Sequence, residues 1–296
     1  MKKNDTLTYF RHVVSQVIQK DEYLSADHKK KAKLTNKALR QAMNARIEEQ
    51  QSLDDPVVKL ENILLINYSC DVVMLEARNS AWNYDYMSFS RRVGEIWEAF
   101  CKIPFEYPIN NVHIEDSPSF ERVIHDAKKR TDILINTFVN DPGGRERLNE
   151  EIGNMTEVVL SQNTQLPLDL HFKYGEHHYV VDFKSGFKSN EKGNTNRLLE
   201  VAYIYKHYLV DYQPLLWVRQ KANNNDYFER LRTSKNWKAY TGNETYKEIM
   251  KYSGYDLLNW MRINVNWEND LDTSFVTYLK DNDLWKYLTW FEGGEN

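Results

Sequence analysis

Between Leu166 and Lys184 the chain carries two aspartates and a lysine at a spacing that could build a phosphoryl-transfer site: Asp169 in Leu-Pro-Leu-Asp-Leu, then Asp182 and Lys184 in Val-Val-Asp-Phe-Lys. A hard divalent cation such as Mg2+ takes oxygen ligands and usually only one or two carboxylates from a protein, leaving positions for water and a substrate phosphate. An ammonium beside such a centre can orient the attacking water and offset the charge that develops at phosphorus. The plain alternative is a surface hairpin whose charges sit on a solvated face, because charge alternation is the ordinary look of an exposed strand.

The elements that must position these groups can be read around them. Leu168, Leu170 and Phe172 alternate with Asp169, His171 and Lys173, Lys173-Tyr174-Gly175-Glu176-His177 supplies a turn, and Tyr179 to Lys184 is a β-branched and aromatic second arm. Period two puts Asp182 and Lys184 on one face. The stretch from Ser185 to Arg197 is polar, glycine-bearing and cationic, and leads into a helix expected from Arg197 to Leu209 with an apolar stripe of Leu198, Val201, Ala202, Tyr205 and Leu209. Asn194, Thr195 or Asn196 can cap it. With Lys188, Lys192 and Arg197 nearby, that helix entrance suits a phosphate backbone, against the alternative of an ordinary capped loop. Tyr212 to Arg219 reads as a further short strand, with Pro214 near its start where a missing amide is tolerated.

Pro167, Asp169, Asp182 and Lys184 resemble the PD-(D/E)xK nuclease motif, with the first acid on one strand and the acid-x-Lys on the next. Leu168 separates the proline from the acid, a departure from the literal motif. Members of this superfamily also carry a glutamate on a helix before the hairpin, after Gly, two residues and a bulky apolar residue. Gly94-Glu95-Ile96-Trp97-Glu98 is similar and makes Glu98 the candidate, with Glu95 as the substitute because residues three apart share a helix face. The alternative for this pair is a solvated helix face opposite Ile96, Trp97 and Phe100. A rival first acid is Asp132, since Lys128 to Ile135 also reads as a strand entered through an acid. Asp132 is far from Asp182 in sequence, whereas the hairpin needs no insertion to join its acids.

The resemblance covers roughly residues 90 to 220. It implies an α/β (α+β) fold with a central mixed sheet flanked by helices, a restriction-endonuclease-like core, and helical N- and C-terminal additions. It further implies Mg2+, with Mn2+ able to substitute, held by Asp169, Asp182 and Glu98, with Lys184 assisting the water. The expected activity is hydrolysis of double-stranded DNA at a specific sequence, similar to type II restriction endonucleases, releasing 5′-phosphate and 3′-hydroxyl ends. Lys188, Lys192, Asn194, Thr195, Asn196 and Arg197 are the expected DNA contacts. A palindromic site would call for a homodimer, and the family implies a cognate methyltransferase that protects host DNA. The alternatives are a structure-specific or repair endonuclease on the same core and, from another class, a non-catalytic DNA-binding protein.

The 296 residues suit one large domain or two modest ones, divided as 1–89, 90–220 and 221–296, and 41% hydrophobic content can form a sizeable core. No stretch could span a bilayer, and Met1-Lys2-Lys3-Asn4-Asp5 leads into no apolar run of signal-peptide type, so a cytoplasmic protein is expected. Cys70 and Cys101 are too few for a structural zinc cage and fit a reducing compartment. A formal charge of −4 argues against bulk attraction to nucleic acid but not against a nuclease, which needs only a local cationic surface. Candidate patches are His28 to Lys33, Arg91-Arg92, Lys128-Lys129-Arg130 and the Lys184 to Arg197 stretch.

The first hundred residues read mainly helical over Tyr9–Ile18, Lys31–Gln50 and Val57–Leu65. Trp82, Tyr84 and Tyr86 alternate with small or polar residues and suit a packed helix junction better than a DNA contact. Beyond the polar Asn223-Asn224-Asn225-Asp226 loop, Tyr255 to Met261 and Phe275 to Leu279 have helical spacing in an aromatic-rich region. Base-reading residues could lie there or in an Arg219 to Lys238 loop.

Overall fold

The computed structural model describes residues 1–161, 165–187, 191–221 and 225–290. Two compact units are formed, one from residues 1–111 and 242–296 and the other from residues 112–241. These limits differ from the divisions at 89 and 220 read from the sequence. Among the described residues no helix is long and apolar enough to cross a membrane.

The discontinuous unit is helical. Its first part comprises α1 (Lys3–Ile18), α2 (Asp21–Leu24), α3 (His28–Gln50), α4 (Pro56–Ala81) and α5 (Tyr86–Glu106). Asp55 starts α4 by accepting the amides of Val57 and Val58, with Pro56 at a first-turn position where its missing N–H costs nothing. Periodicity predicts this helix only to Leu65, but it continues to Ala81 with buried residues on every side, as expected of a helix at the centre of a core. Asp85 and Ser88 form a capping box at the start of α5. Of the aromatic run at this junction, Tyr84 is buried while Trp82 and Tyr86 are exposed.

The contiguous unit holds the sheet. Along the chain come β1 (Val112–Ile114), α6 (Phe120–Phe138), α7 (Pro142–Ser161), β2 (Leu170–Tyr174), β3 (His177–Lys184), α8 (Lys192–Tyr208), β4 (Tyr212–Val218), α9 (Asp226–Thr233) and β5 (Lys238–Thr241). Lys128 to Ile135 therefore lies inside α6 and is not a strand. Its β-branched run is local, whereas the 3.6-residue period persists over the whole element. The Arg219 to Lys238 segment likewise contains α9, capped by Asn225; Asn223 and Asn224 of the expected polar loop lie outside the described residues.

The strands form a five-stranded mixed sheet in the order β1-β2-β3-β4-β5. The first three run antiparallel, and β3, β4 and β5 are mutually parallel, joined through α8 and α9. The β2–β3 turn is Gly175-Glu176, and Gly175 takes the positive φ of +61° that a two-residue hairpin loop needs. Pro214 sits in β4 one residue before the pairing with β5 begins, so its missing amide breaks no ladder bond on that side. One sheet face, through Val180, Leu216 and Val218, packs against Leu198, Val201, Ala202 and Tyr205 of α8. Burying each such side chain contributes about 1.5–3 kcal/mol, which makes α8 the main cover of this face.

The chain then returns to the helical unit with α10 (Asn243–Ser253), α11 (Leu257–Asn264), α12 (Trp267–Asp270), α13 (Thr273–Asp281) and a 3-10 turn over Trp285–Leu288. The helices expected at Tyr255–Met261 and Phe275–Leu279 are α11 and α13. Trp97 of α5 donates its indole N–H to the Tyr246 hydroxyl of α10 at 2.9 Å, one tie between the early and late parts of this unit.

Candidate functional site: an opposed acid pair beside Lys184 and Arg197

The last β2–β3 pair is Leu170 with Val181, and one step further the antiparallel register sets Asp169 opposite Asp182. Directly opposed residues of an antiparallel pair share a face, and like charges there repel. Asp169 Oδ2 accepts the Phe183 amide at 2.7 Å. The side chain thus takes the place of a ladder carbonyl just beyond the end of β2 and anchors the acid to β3.

Asp182 is 1% exposed. The face on which it lies is not solvated, contrary to the plain reading of an exposed hairpin, because α8 covers it. Two cations reach the carboxylate. Lys184 Nζ lies 2.7 Å from Oδ2, and Arg197 Nη2, from the second turn of α8, lies 3.9 Å from Oδ1. Burial pushes the Asp182 carboxyl up to about 6, with Asp169 adding to the rise and Lys184 and Arg197 opposing it. For Lys184, burial works against the charged form, but Asp182, Asp169 and Glu191 outweigh it, and the net direction is upward. The centre is thus two opposed carboxylates with a firmly protonated lysine, and one of the acids titrates above the usual carboxylate range.

His171, which the sequence pattern assigns to the solvated side of β2, is buried on the α8 face with its ring 5.8 Å from that of Tyr205. Its Nε2 accepts the Leu168 amide at 3.1 Å, so the ring braces the segment that delivers Asp169. Burial lowers its pKa to about 4, with Glu115, Asp169 and Asp116 acting in the other direction. The neutral imidazole is the form that can accept this bond.

The remaining predicted residues divide. Helix α8 begins at Lys192, five residues before the predicted start, and places Asn194, Thr195 and Asn196 inside its first turns, so none of them caps it. Asn194 donates to Glu191 Oε2 at 3.2 Å, Thr195 is buried, and Lys192 and Asn196 are exposed. Arg197 turns to Asp182 and to the Gln165 carbonyl at 3.1 Å. Lys188 lies outside the described residues. Glu98 belongs to α5 in the helical unit, where it pairs with Lys102 at 2.6 Å, and Glu95 pairs with Arg91 and Arg92. Asp132 pairs with Lys128 along α6. Among the described residues no group of three His, Cys, Asp or Glu side chains is arranged to hold a metal ion.

Sequence reasoning missed the brace from His171 and the approach of Arg197 to Asp182. The second had a signal: Arg197 immediately precedes Leu198 in the stripe that faces the sheet, so its stem runs along the covered face. Comparison with protein-family models, curated proteins and solved structures finds no match for this chain.

Proposed function

We propose that the protein is a Mg2+-dependent endonuclease of the PD-(D/E)xK type that hydrolyses phosphodiester bonds of double-stranded DNA at a specific sequence. The observation that supports this reading best is the opposition of the half-buried Asp169 and the buried Asp182 beside Lys184 at one corner of the sheet. The donor chemistry fits a hard cation. Two carboxylates with water and phosphate oxygens are a customary set for Mg2+, and an acid raised to about 6 by burial gains more from a cation than a solvated one would. Asp169 and Asp182 would hold the ion, which when bound supplies Lewis-acid polarisation of the phosphoryl group and a more acidic water. Lys184 orients that water and offsets charge on the non-bridging oxygens. Arg197 holds Asp182 from the other side, and Lys192 and Asn196 offer exposed contacts to the DNA backbone. Glu98, paired with Lys102 in the helical unit, is the third carboxylate that the resemblance adds to this set.

Support also comes from the run of hairpin, helix and parallel strand over residues 170–218, preceded by β1 with α6 and α7 inserted between β1 and the hairpin. A homodimer on a palindromic site and a companion methyltransferase belong to the same proposal. A second reading, a non-catalytic DNA-binding protein, draws on one observation: Asp182 is already countered by Lys184 and Arg197 within the chain.

Incubation with sequenced plasmid and Mg2+, with mapping of the ends, separates the readings. Discrete reproducible fragments, lost in Asp182→Ala and Lys184→Ala, support restriction. Cutting confined to branched or damaged substrates favours the repair alternative. Binding without any cleavage, unchanged by Asp182→Ala, overturns the catalytic proposal.

A further inference from the structure

From Lys29 to Ile47, helix α3 carries seven lysines and arginines and no carboxylate, in a chain whose formal charge is −4. Lys29, Lys30, Lys33, Lys37 and Arg40 are all exposed and fall within roughly 100° of arc at about 3.6 residues per turn, on the side away from the buried Ala32, Thr35 and Leu39. Gln41 and Asn44 are exposed beside them and add amide donors. Other helices of the chain match their cations with carboxylates one turn away: Arg91 with Glu95, Lys128 with Asp132, Lys247 with Glu244 and Lys251 with Glu248. On the α3 ridge only Lys30 has an ion-pair partner among the described residues, Glu22 of α2 at 3.3 Å. Arg40, with Arg92 of α5, acts on the Asp71 carboxyl of α4, and desolvation still holds that acid up at about 7.

We propose that this ridge of the helical unit is a docking surface for the phosphate backbone of double-stranded DNA; that the polyanion is DNA rests on the nuclease reading above. Charge density supports the match. The five cations occupy roughly 17 Å of helix, about one per 3–4 Å, and each DNA strand presents one phosphate per about 3.4 Å. The helix is packed into its core through Ala32, Thr35 and Leu39, so the backbone that spaces the cations needs no ordering when DNA arrives. An anionic membrane is the poorer fit, because interfacial helices bury large apolar side chains beside their lysines and no large apolar residue of α3 is exposed. Segregating cations on one helix also lets a chain of net negative charge approach DNA, since the local field and not the total charge steers the encounter. Phosphate contacts fix position on a duplex and read no sequence. The ridge therefore supplies salt-dependent, non-specific affinity and leaves the choice of sequence to other residues.

Fluorescence anisotropy of the full chain with a short labelled duplex of arbitrary sequence, in EDTA so that nothing is cut, reads the ridge without any activity. The triple variant Lys29→Gln, Lys33→Gln and Lys37→Gln should weaken binding about ten- to a hundredfold at about 0.1 M salt and lower the slope of log Kd against log salt by about three. Its far-UV circular dichroism should be unchanged, because the three positions are exposed and glutamine is a good helix former. A matched variant, Lys247→Gln, Lys280→Gln and Lys286→Gln, removes the same charge from the same unit at lysines already paired with carboxylates, and should leave affinity and slope as they are. If the ridge variant fails to fold, Lys33→Gln alone should lower the slope by about one. Equal effects from the two triple variants, a slope that the ridge variants do not move, or a ridge variant that loses phosphatidylserine vesicles and keeps the duplex overturns the inference. Plasmid cleavage by the chain with duplex affinity indifferent to the ridge sinks the ridge and leaves the nuclease reading; ridge-dependent binding with no cleavage in Mg2+ does the opposite.

Discussion

Two buried aspartates, one in each unit, meet opposite fates. Asp270 in the helical unit is 5% exposed and well partnered: Lys3 Nζ and the Tyr68 hydroxyl each lie 2.8 Å from Oδ2, and the Asn266 amide donates at 3.2 Å. Asp182 in the sheet unit is buried as deeply, but it faces a second carboxylate and its pKa is raised to about 6. The first arrangement consumes its charge in holding α1, α4 and α12 together. The second sets two carboxylates opposite one another, with Lys184 and Arg197 as the countercharges, and perturbs the acid instead of using it up in a tie. Both are deeply buried and both have a cation at hand; what Asp182 has in addition is a second carboxylate opposite it.

The contrast breaks most sharply in activity. Asp182→Asn should lower DNA cleavage by at least about a thousandfold, measured as plasmid nicking rate, because the replaced group can neither hold the ion nor balance Lys184. Asp270→Asn should leave the cleavage rate per folded molecule unchanged. Stability should show the reverse. Asp270→Ala leaves the buried Tyr68 hydroxyl and the half-buried Lys3 without this partner and should cost about 2–3 kcal/mol in urea unfolding.

For Asp182 the sign follows from linkage. Its folded pKa of about 6 exceeds the unfolded value near 3.8, so the folded state holds the proton more tightly and loses stability as pH rises through that window. Asp182→Asn should therefore be more stable than wild type at pH 7.5 by about 1–3 kcal/mol, and the advantage should vanish below about pH 4, where both chains are neutral at this position. An unchanged or lower stability at pH 7.5 would remove Asp182 from the class of strained functional groups. Mg2+ or Ca2+ should raise the melting temperature of the wild type at pH 7.5 and leave that of Asp182→Asn unmoved.

His171 works with the opposite sign. Its folded pKa of about 4 lies below the ordinary value of 6.5, so its contribution is full above pH 6.5 and is lost as pH falls through 4. In Asp182→Asn, where the opposing acid is silent, this loss should appear as a fall in stability of up to about 3 kcal/mol between pH 6.5 and 4, and His171→Gln should flatten it. The smallest effect concerns the hairpin that aligns the acids. Gly175→Ala forces a side chain into φ +61° and should cost about 1 kcal/mol with the cleavage pattern unchanged.

The sequence alone determined the hairpin, its turn and the pairing of Asp169 with Asp182, because strand period, turn chemistry and register are short-range properties carried by neighbouring residues. It also determined most helices, since a 3.6-residue stripe declares itself wherever it is long enough. Short windows failed, as at Lys128 to Ile135, where three apolar residues in a row resemble a strand until the whole of α6 is read. Tertiary structure alone decided which sheet face is dry. Only the docking of α8 buries Asp182, raises its pKa, brings Arg197 to it and turns His171 from a solvated side chain into a brace. It likewise decided that Glu98 folds with the helical unit, so that a glutamate at motif-like spacing takes Lys102 as its partner. Burial and pairing depend on which distant segment covers a face, and no local pattern encodes that choice.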